Sequence, residues 1–147
     1  VYLVDFEVIR AVEQPVSAIM SADHPLAGQE VLRLRDCLAL PHVIPSSEYG
    51  VRHLLEQAVR GRSYQLDPVV EADSFELMRH YVLQEQVISF QIPIGLLPRL
   101  DPHLVVRRID PRDIAPGLLL IGQMRGRTLP VATAKFAQQV ANALDGL

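Results

Sequence analysis

Residues 71–98, EADSFELMRHYVLQEQVISFQIPIGLLP, decide how the chain is read: a strand end, a capped helix, a tight loop and a second strand follow without a break. Asp73, with Glu76 three residues later, has the form of a capping box, in which the Asp accepts an orphan amide and the Glu reaches back. Phe75, Met78 and Val82 then fall at helical spacing, and Leu77 and Tyr81 widen the stripe. After Gln86 the period changes to Val87, Ile88 and Phe90, an extended run that Pro93 and Gly95 interrupt before Leu96, Leu97 and Pro98. A strand, helix, strand order places a helix N-terminus at the carboxyl edge of a sheet, where α/β proteins hold small ligands.

Upstream a further strand and helix lead into this stretch, without any internal sequence repeat. Residues 42–44, HVI, read as a buried strand, and Pro45, Ser46, Ser47 and Glu48 as a helix start with serine at the cap. Val51, Leu54, Leu55, Ala58 and Val59 then share one face, and Gly61 ends the helix. Asp67-Pro68 turns the chain into a strand at residues 69–72. Strand, helix, strand, helix, strand over residues 42–91 predicts a mainly parallel sheet with both helices starting at one edge.

The flanks are plainer. Residues 1–13 support a weak strand, 16–20 a short apolar one, and 21–28, SADHPLAG, a loop or hinge. Residues 31–40 suggest a short helix carrying Leu32, Leu34 and Leu38 and stopped at Pro41. Downstream, strands are expected at residues 104–109 and 118–121. In a last helix Pro130 stands in the first turn, and Phe136, Ala137, Val140, Ala141 and Leu144 form the buried face.

Composition excludes several classes. With 147 residues, 49% hydrophobic and 21% charged, the chain has the makeup of a globular protein with one core or two small lobes. A net charge of -3 and a pI near 5.9, with scattered arginines, leave no basis for duplex DNA binding by this chain. Cys37 is the single cysteine, so no internal disulfide can form, which suits a cytoplasmic setting. No apolar run approaches the roughly 18 residues of a membrane helix, and no signal peptide is evident. Starting without Met, the chain is expected to be a fragment, a processed product or a truncated form. The histidines at 24, 42, 53, 80 and 103 lack metal-site spacing, and no nucleophile, base and acid stand together, so neither a metal site nor catalysis is expected.

Taken together, HPLAG at 24–28, DCLALPHVI at 36–44, PSSEYGVRHLL at 45–55, VLQEQVISF at 82–90 and GRTLPVATAKFAQQV at 126–140 resemble the effector-binding domain of LysR-type transcriptional regulators over nearly the whole chain. The resemblance implies an α/β fold of the type 2 periplasmic-binding-protein-like class, with two lobes on mixed sheets, crossing hinge strands and a small-molecule cleft. It puts a complete second lobe at residues 25–98, and the hinge strands with the remainder of an incomplete first lobe at 1–24 and 99–147. It also implies a small organic effector and no cofactor, a homo-dimer or larger oligomer, and promoter contact only through a winged helix-turn-helix outside this chain. One departure stands out. Where the family commonly has Gly-x-Gly, this chain has Glu85 and Val87, so the tight loop must form without glycine.

The expected ligand surface joins Ser46, Ser47 and Tyr49 to Asp73 and Ser74, with Ser89 on the adjoining strand. Each has a plainer reading. Ser46, Ser47 and Asp73 serve as helix caps, alone or together with a ligand contact; Tyr49 and Phe90 pack in the core; Cys37 is a small core residue. Three functions follow: a sensing module of a regulator, a free-standing solute-binding protein of the same fold, or an enzyme on a doubly wound sheet. The last has no residues to support it.

Overall fold

The computed structural model describes residues 5–95 and 101–146; the expected break at Pro93 and Gly95 is found as a short 3-10 turn, and Leu96, Leu97 and Pro98 beyond it lie outside the described residues. The chain order is β1 (Phe6–Gln14), β2 (Ser17–Ser21), β3 (Val31–Leu32), α1 (Leu34–Leu38), β4 (Val43–Pro45), α2 (Gly50–Val59), β5 (Val70–Ala72), α3 (Phe75–Gln84), β6 (Ser89–Gln91), β7 (Leu104–Ile109), β8 (Gly117–Met124) and α4 (Val131–Leu144). Two compact units result, one within Val1–Gln14 and Leu118–Leu147, the other within Pro15–Gly117.

In the larger unit the hydrogen-bonded order is β3-β7-β2-β6, and β4 pairs in parallel with β5. A parallel bridge from His42 to Ile88 joins these two parts. Only β2 runs antiparallel to its neighbours β6 and β7, so the expected mainly parallel sheet is found, with one strand reversed. β2 and β7, which the resemblance assigns to the hinge strands and the first-lobe remainder, pair with each other in this sheet. Their apolar runs show burial but not partner choice.

Helices cover both faces. Ala18, Met20, Ile44, Leu55, Ile88 and Phe90 belong to one apolar cluster, and their chain neighbours Ile19, Val43 and Val87 to a second with Met78 and Val82 of α3. Adjacent strand residues point to opposite faces, so a strand buried on both sides is apolar throughout. The core reading of Phe90 and Cys37 therefore holds, both being 0% exposed. Burial, with Asp36 and Asp113 adding to it, pushes the Cys37 thiol up to about 12, which leaves it inert.

Four local expectations are corrected. Residues 31–40 do not form one helix: Val31 and Leu32 pair with Arg108 and Ile109 of β7, and only five residues turn into α1. Here tertiary pairing overrides helical propensity. α2 begins at Gly50 with Tyr49 at its cap position, so Ser46, Ser47 and Glu48 precede it in a turn closed from the Tyr49 amide to the Ser46 carbonyl at 3.2 Å. Ser74, not Asp73, caps α3, accepting the Leu77 amide at 3.1 Å. Phe136 is 65% exposed, because Ala141 and Leu144 set the buried stripe of α4 and position 136 lies one residue, about 100°, before Ala137.

The glycine-poor loop after α3 forms as required. Glu85 leaves the helix at φ -121 and ψ 152, the Val87 amide donates to the Glu85 carbonyl at 2.9 Å, and no described non-glycine residue has positive φ. By contrast, Gly61 takes φ 74 just beyond α2, a conformation that glycine allows without a steric penalty. In the smaller unit β1 pairs with β8, and a Cβ at Gly122 would collide with the Glu7 carbonyl and the Phe6 ring.

The loop at residues 21–28 folds on itself around a buried histidine. His24 Nδ1 accepts the Leu26 amide at 3.1 Å, and Arg107 Nε donates to the Ala27 carbonyl at 2.7 Å. Burial lowers the His24 imidazole from its ordinary 6.5. The neutral ring is the form that accepts, so its contribution is complete above about 6.5 and shrinks as pH falls below that value towards the lowered folded one. Urea midpoints measured from pH 8 to pH 5 should fall more for the wild type than for His24→Gln; parallel curves would contradict this.

Candidate binding site at the carboxyl edge of the sheet

β4, β5 and β6 run the same way, so their last residues share one edge. Pro45 pairs with Ala72, and the His42–Ile88 bridge, continued for three residues, brings Pro45 level with Gln91. α2 and α3 both start just beyond this edge, as the strand and helix order requires.

The turn after β4 and the start of α2 are tied to β5 and the turn beyond it at three points. The Ser46 amide donates to the Ala72 carbonyl at 3.1 Å. Tyr49 Oη donates to the Asp73 carbonyl at 2.5 Å, and its ring meets Phe75 edge-on, with centroids 5.1 Å apart at 85°. Arg52 donates through Nη1 to the Pro45 carbonyl at 3.3 Å and to Glu71 at 3.1 Å, while its Nε holds Glu56 at 2.8 Å. Burial opposes the charge of Arg52, but the bonds to Glu56 and Glu71 more than restore it and raise its value. A largely enclosed guanidinium that bridges two carboxylates and a main-chain carbonyl fixes the turn.

The expected site residues therefore divide. Ser46, Tyr49, Asp73 and Ser74 are brought together; Ser47 stands exposed in the same turn, and Asp73 and Ser74 are also exposed. The Ser74 hydroxyl is already engaged by the Leu77 amide. Ser89 is buried inside the sheet opposite Ile19, two residues before the end of β6. Ser46 Oγ is different: it is buried, and among the described residues it has no hydrogen-bond partner. The end of α2 above it has no capping side chain either.

One residue was missed from the sequence. Gln91 ends β6, is 5% exposed, and its buried Oε1 has no partner among the described residues. The signal was a single amide inside the apolar run ISFQI, two positions after Ser89 and so on the same strand face. Buried polar atoms are nearly always paired, and at this sheet edge Ser46 Oγ and Gln91 Oε1 have no partner among the described residues. The site offers hydroxyl, amide and main-chain groups for recognition. No cluster of His, Cys, Asp and Glu among the described residues could hold a metal ion.

Residues 4–145 match the family model described as LysR substrate binding domain. A curated relative, the probable nitrogen assimilation transcriptional activator of Synechococcus elongatus, is 30% identical over 96 residues, covering 65% of this chain and 31% of the relative. The solved structure of HinK, a LysR family transcriptional regulator from Pseudomonas aeruginosa, matches with a TM-score of 0.77 at 18% identity, over 95% of this chain and 49% of that one. The effector binding domain of QuiR in complex with shikimate gives 0.69 at 16% identity, over 95% of this chain and 66% of that one. The chain thus spans about a third of the curated activator and half of the HinK chain. The fold is the α/β, type 2 periplasmic-binding-protein-like class expected from the sequence, with mixed sheets.

Proposed function

The chain belongs to the LysR substrate-binding domain family, and from that premise we propose that it senses a small organic effector for a transcriptional regulator through the sheet edge at Ser46, Ser47, Tyr49, Asp73 and Ser74. The observation that carries the reading is the buried Ser46 hydroxyl, without a partner among the described residues, beside a start of α2 that has no side-chain cap. Free helix amides and a hydroxyl suit an oxygen-rich ligand, while the exposed carboxylates of Glu48 and Asp73 favour one that also carries hydroxyl or amine groups. Shikimate, bound by QuiR, is of that kind. Gln91 adds an amide at the same edge, and Ser89 stays a weaker member one pleat behind.

In this reading the chain acts as a cytoplasmic sensor and not as an enzyme. Promoter contact belongs to a separate DNA-binding domain of the whole regulator, which responds when effector binding shifts the domain's conformational populations. No helix among the described residues is long and apolar enough to cross a membrane. The test uses the full-length regulator: metabolites are screened by thermal shift, and hits are repeated with Ser46→Ala plus Ser47→Ala. Losing hydrogen bonds worth roughly 1 kcal/mol each should weaken binding about five- to thirtyfold. Unchanged affinity in a folded double variant would reduce those serines to turn residues.

Self-association is part of the same proposal. Among the described residues β5 is the outer strand of the array with one edge unpaired, and near it stand Val69, 53% exposed, and Leu77 of α3, 56% exposed. An open edge flanked by apolar side chains favours pairing with a second copy. Sedimentation at micromolar concentration should show a dimer or larger species, and a monomer throughout would contradict it.

A further inference from the structure

A cavity of about 330 Å³ lies at the opposite end of α2 from the Ser46 turn, between the last turn of the helix and the connection from β7 to β8. Leu54, Ala58 and Ile114 supply apolar wall, and Arg60, Arg62 and Arg112 bring three guanidiniums to it.

The carboxylates nearby are already committed. Asp113 takes Arg33 Nε and Nη2 at 2.8 and 2.9 Å and the Leu34 amide at 3.0 Å. Asp110 is chelated by Arg112, with Nη2 at 2.7 Å and the Arg112 amide at 2.9 Å, and this pairing holds its carboxyl down at about 2. Arg60 and Arg62 have no carboxylate within ion-pair distance among the described residues. Arg62 Nη2 instead reaches the Arg112 carbonyl at 3.5 Å, which aligns its side chain along the wall. The net result is two positive charges without an ion-pair partner among the described residues, at the rim of an open cavity with a partly apolar wall, in a chain whose overall charge is -3. The negative end of the α2 dipole works against an anion here, but two guanidiniums outweigh its half charge.

We propose that this cavity is a second ligand site, taking a small organic anion whose phosphate or carboxylate group is held by Arg60 and Arg62 and whose short body rests on Leu54, Ala58 and Ile114. Guanidiniums present paired donors that match both anions, and a cavity of this volume falls at the small end of ligand sites. The site shares no residue with the Ser46 surface, so it stands or falls separately from the effector reading.

Calorimetric titration of the chain with pyrophosphate and with succinate, at ionic strength matched by NaCl, tests it. At least one anion should bind, and Arg60→Gln plus Arg62→Gln should weaken it at least tenfold. Arg35→Gln, an exposed arginine elsewhere, and Ser46→Ala plus Ser47→Ala should leave it unchanged. Binding of pyrophosphate alone assigns the phosphate class, and binding of succinate alone the carboxylate class. If the double variant unfolds, Arg60→Gln alone must still weaken binding severalfold. No binding of either anion, or an equal loss in Arg35→Gln, overturns the proposal.

Discussion

Leu55→Ala should destabilise the larger unit by about 2–5 kcal/mol, which is a large fraction of the roughly 5–15 kcal/mol that holds a domain folded. Leu55 is 0% exposed and sits in the main apolar cluster with Val51, Ile44 and Phe90. Removing three heavy atoms there forfeits their transfer free energy and leaves a cavity that packed strands relax into only partly. Leu54, one position round the helix, is half-buried and should cost less. Urea denaturation of both variants checks the phase of α2. A Leu55→Ala protein that unfolds with the wild type would mean that the helix faces another way.

Asp113→Ala should be the most damaging polar replacement, at about 2–3 kcal/mol near neutral pH from the lost hydrogen bonds to a buried carboxylate. The Asp113 side chain is 3% exposed and anchors the connection after β7 to the start of α1. Because Arg33 makes no capping bond of its own, Asp113 serves as the N-cap of a helix 79 positions away. Arg33 is 47% exposed, so solvent screens the ion pair and its Coulombic share is small. The bonds to Arg33, reinforced by the Leu34 amide, hold the carboxyl below its ordinary 3.8 against the opposing effect of burial. A lowered acid contributes fully above its unfolded value and loses that contribution as pH falls through the folded one. The stability gap between wild type and Asp113→Ala should therefore be complete at pH 6 and close below pH 3.8 as Asp113 protonates. A gap independent of pH would show that the loss comes from packing and not from the charge.

These two residues mark what could be read from the chain. Val51, Leu54 and Leu55 recur with the helical period, a local signal, and the alternation of β4, α2, β5, α3 and β6 fixed the shared edge where both helices begin. Caps were less certain because Asp73 and Ser74 are adjacent and both qualify. Only the backbone path shows that Ser74 reaches the Leu77 amide while the Asp73 carbonyl receives Tyr49. The turn at residues 46–49 hid the true start of α2, since a serine before an apolar stripe looks like a cap wherever it stands. Contacts such as Asp113 with Leu34, or Val31 with Arg108, span about eighty residues and carry no periodic signature. Gln91 was legible only as one polar side chain in an apolar strand.

Hydrogen exchange on the full-length regulator, with and without a saturating effector, tests the central claim most directly. The reading predicts that amides at residues 46–51 and 74–77, which frame the Ser46 hydroxyl and the two helix starts, gain the largest protection on binding. Protection concentrated elsewhere, with those amides exchanging at their free rates, would contradict it.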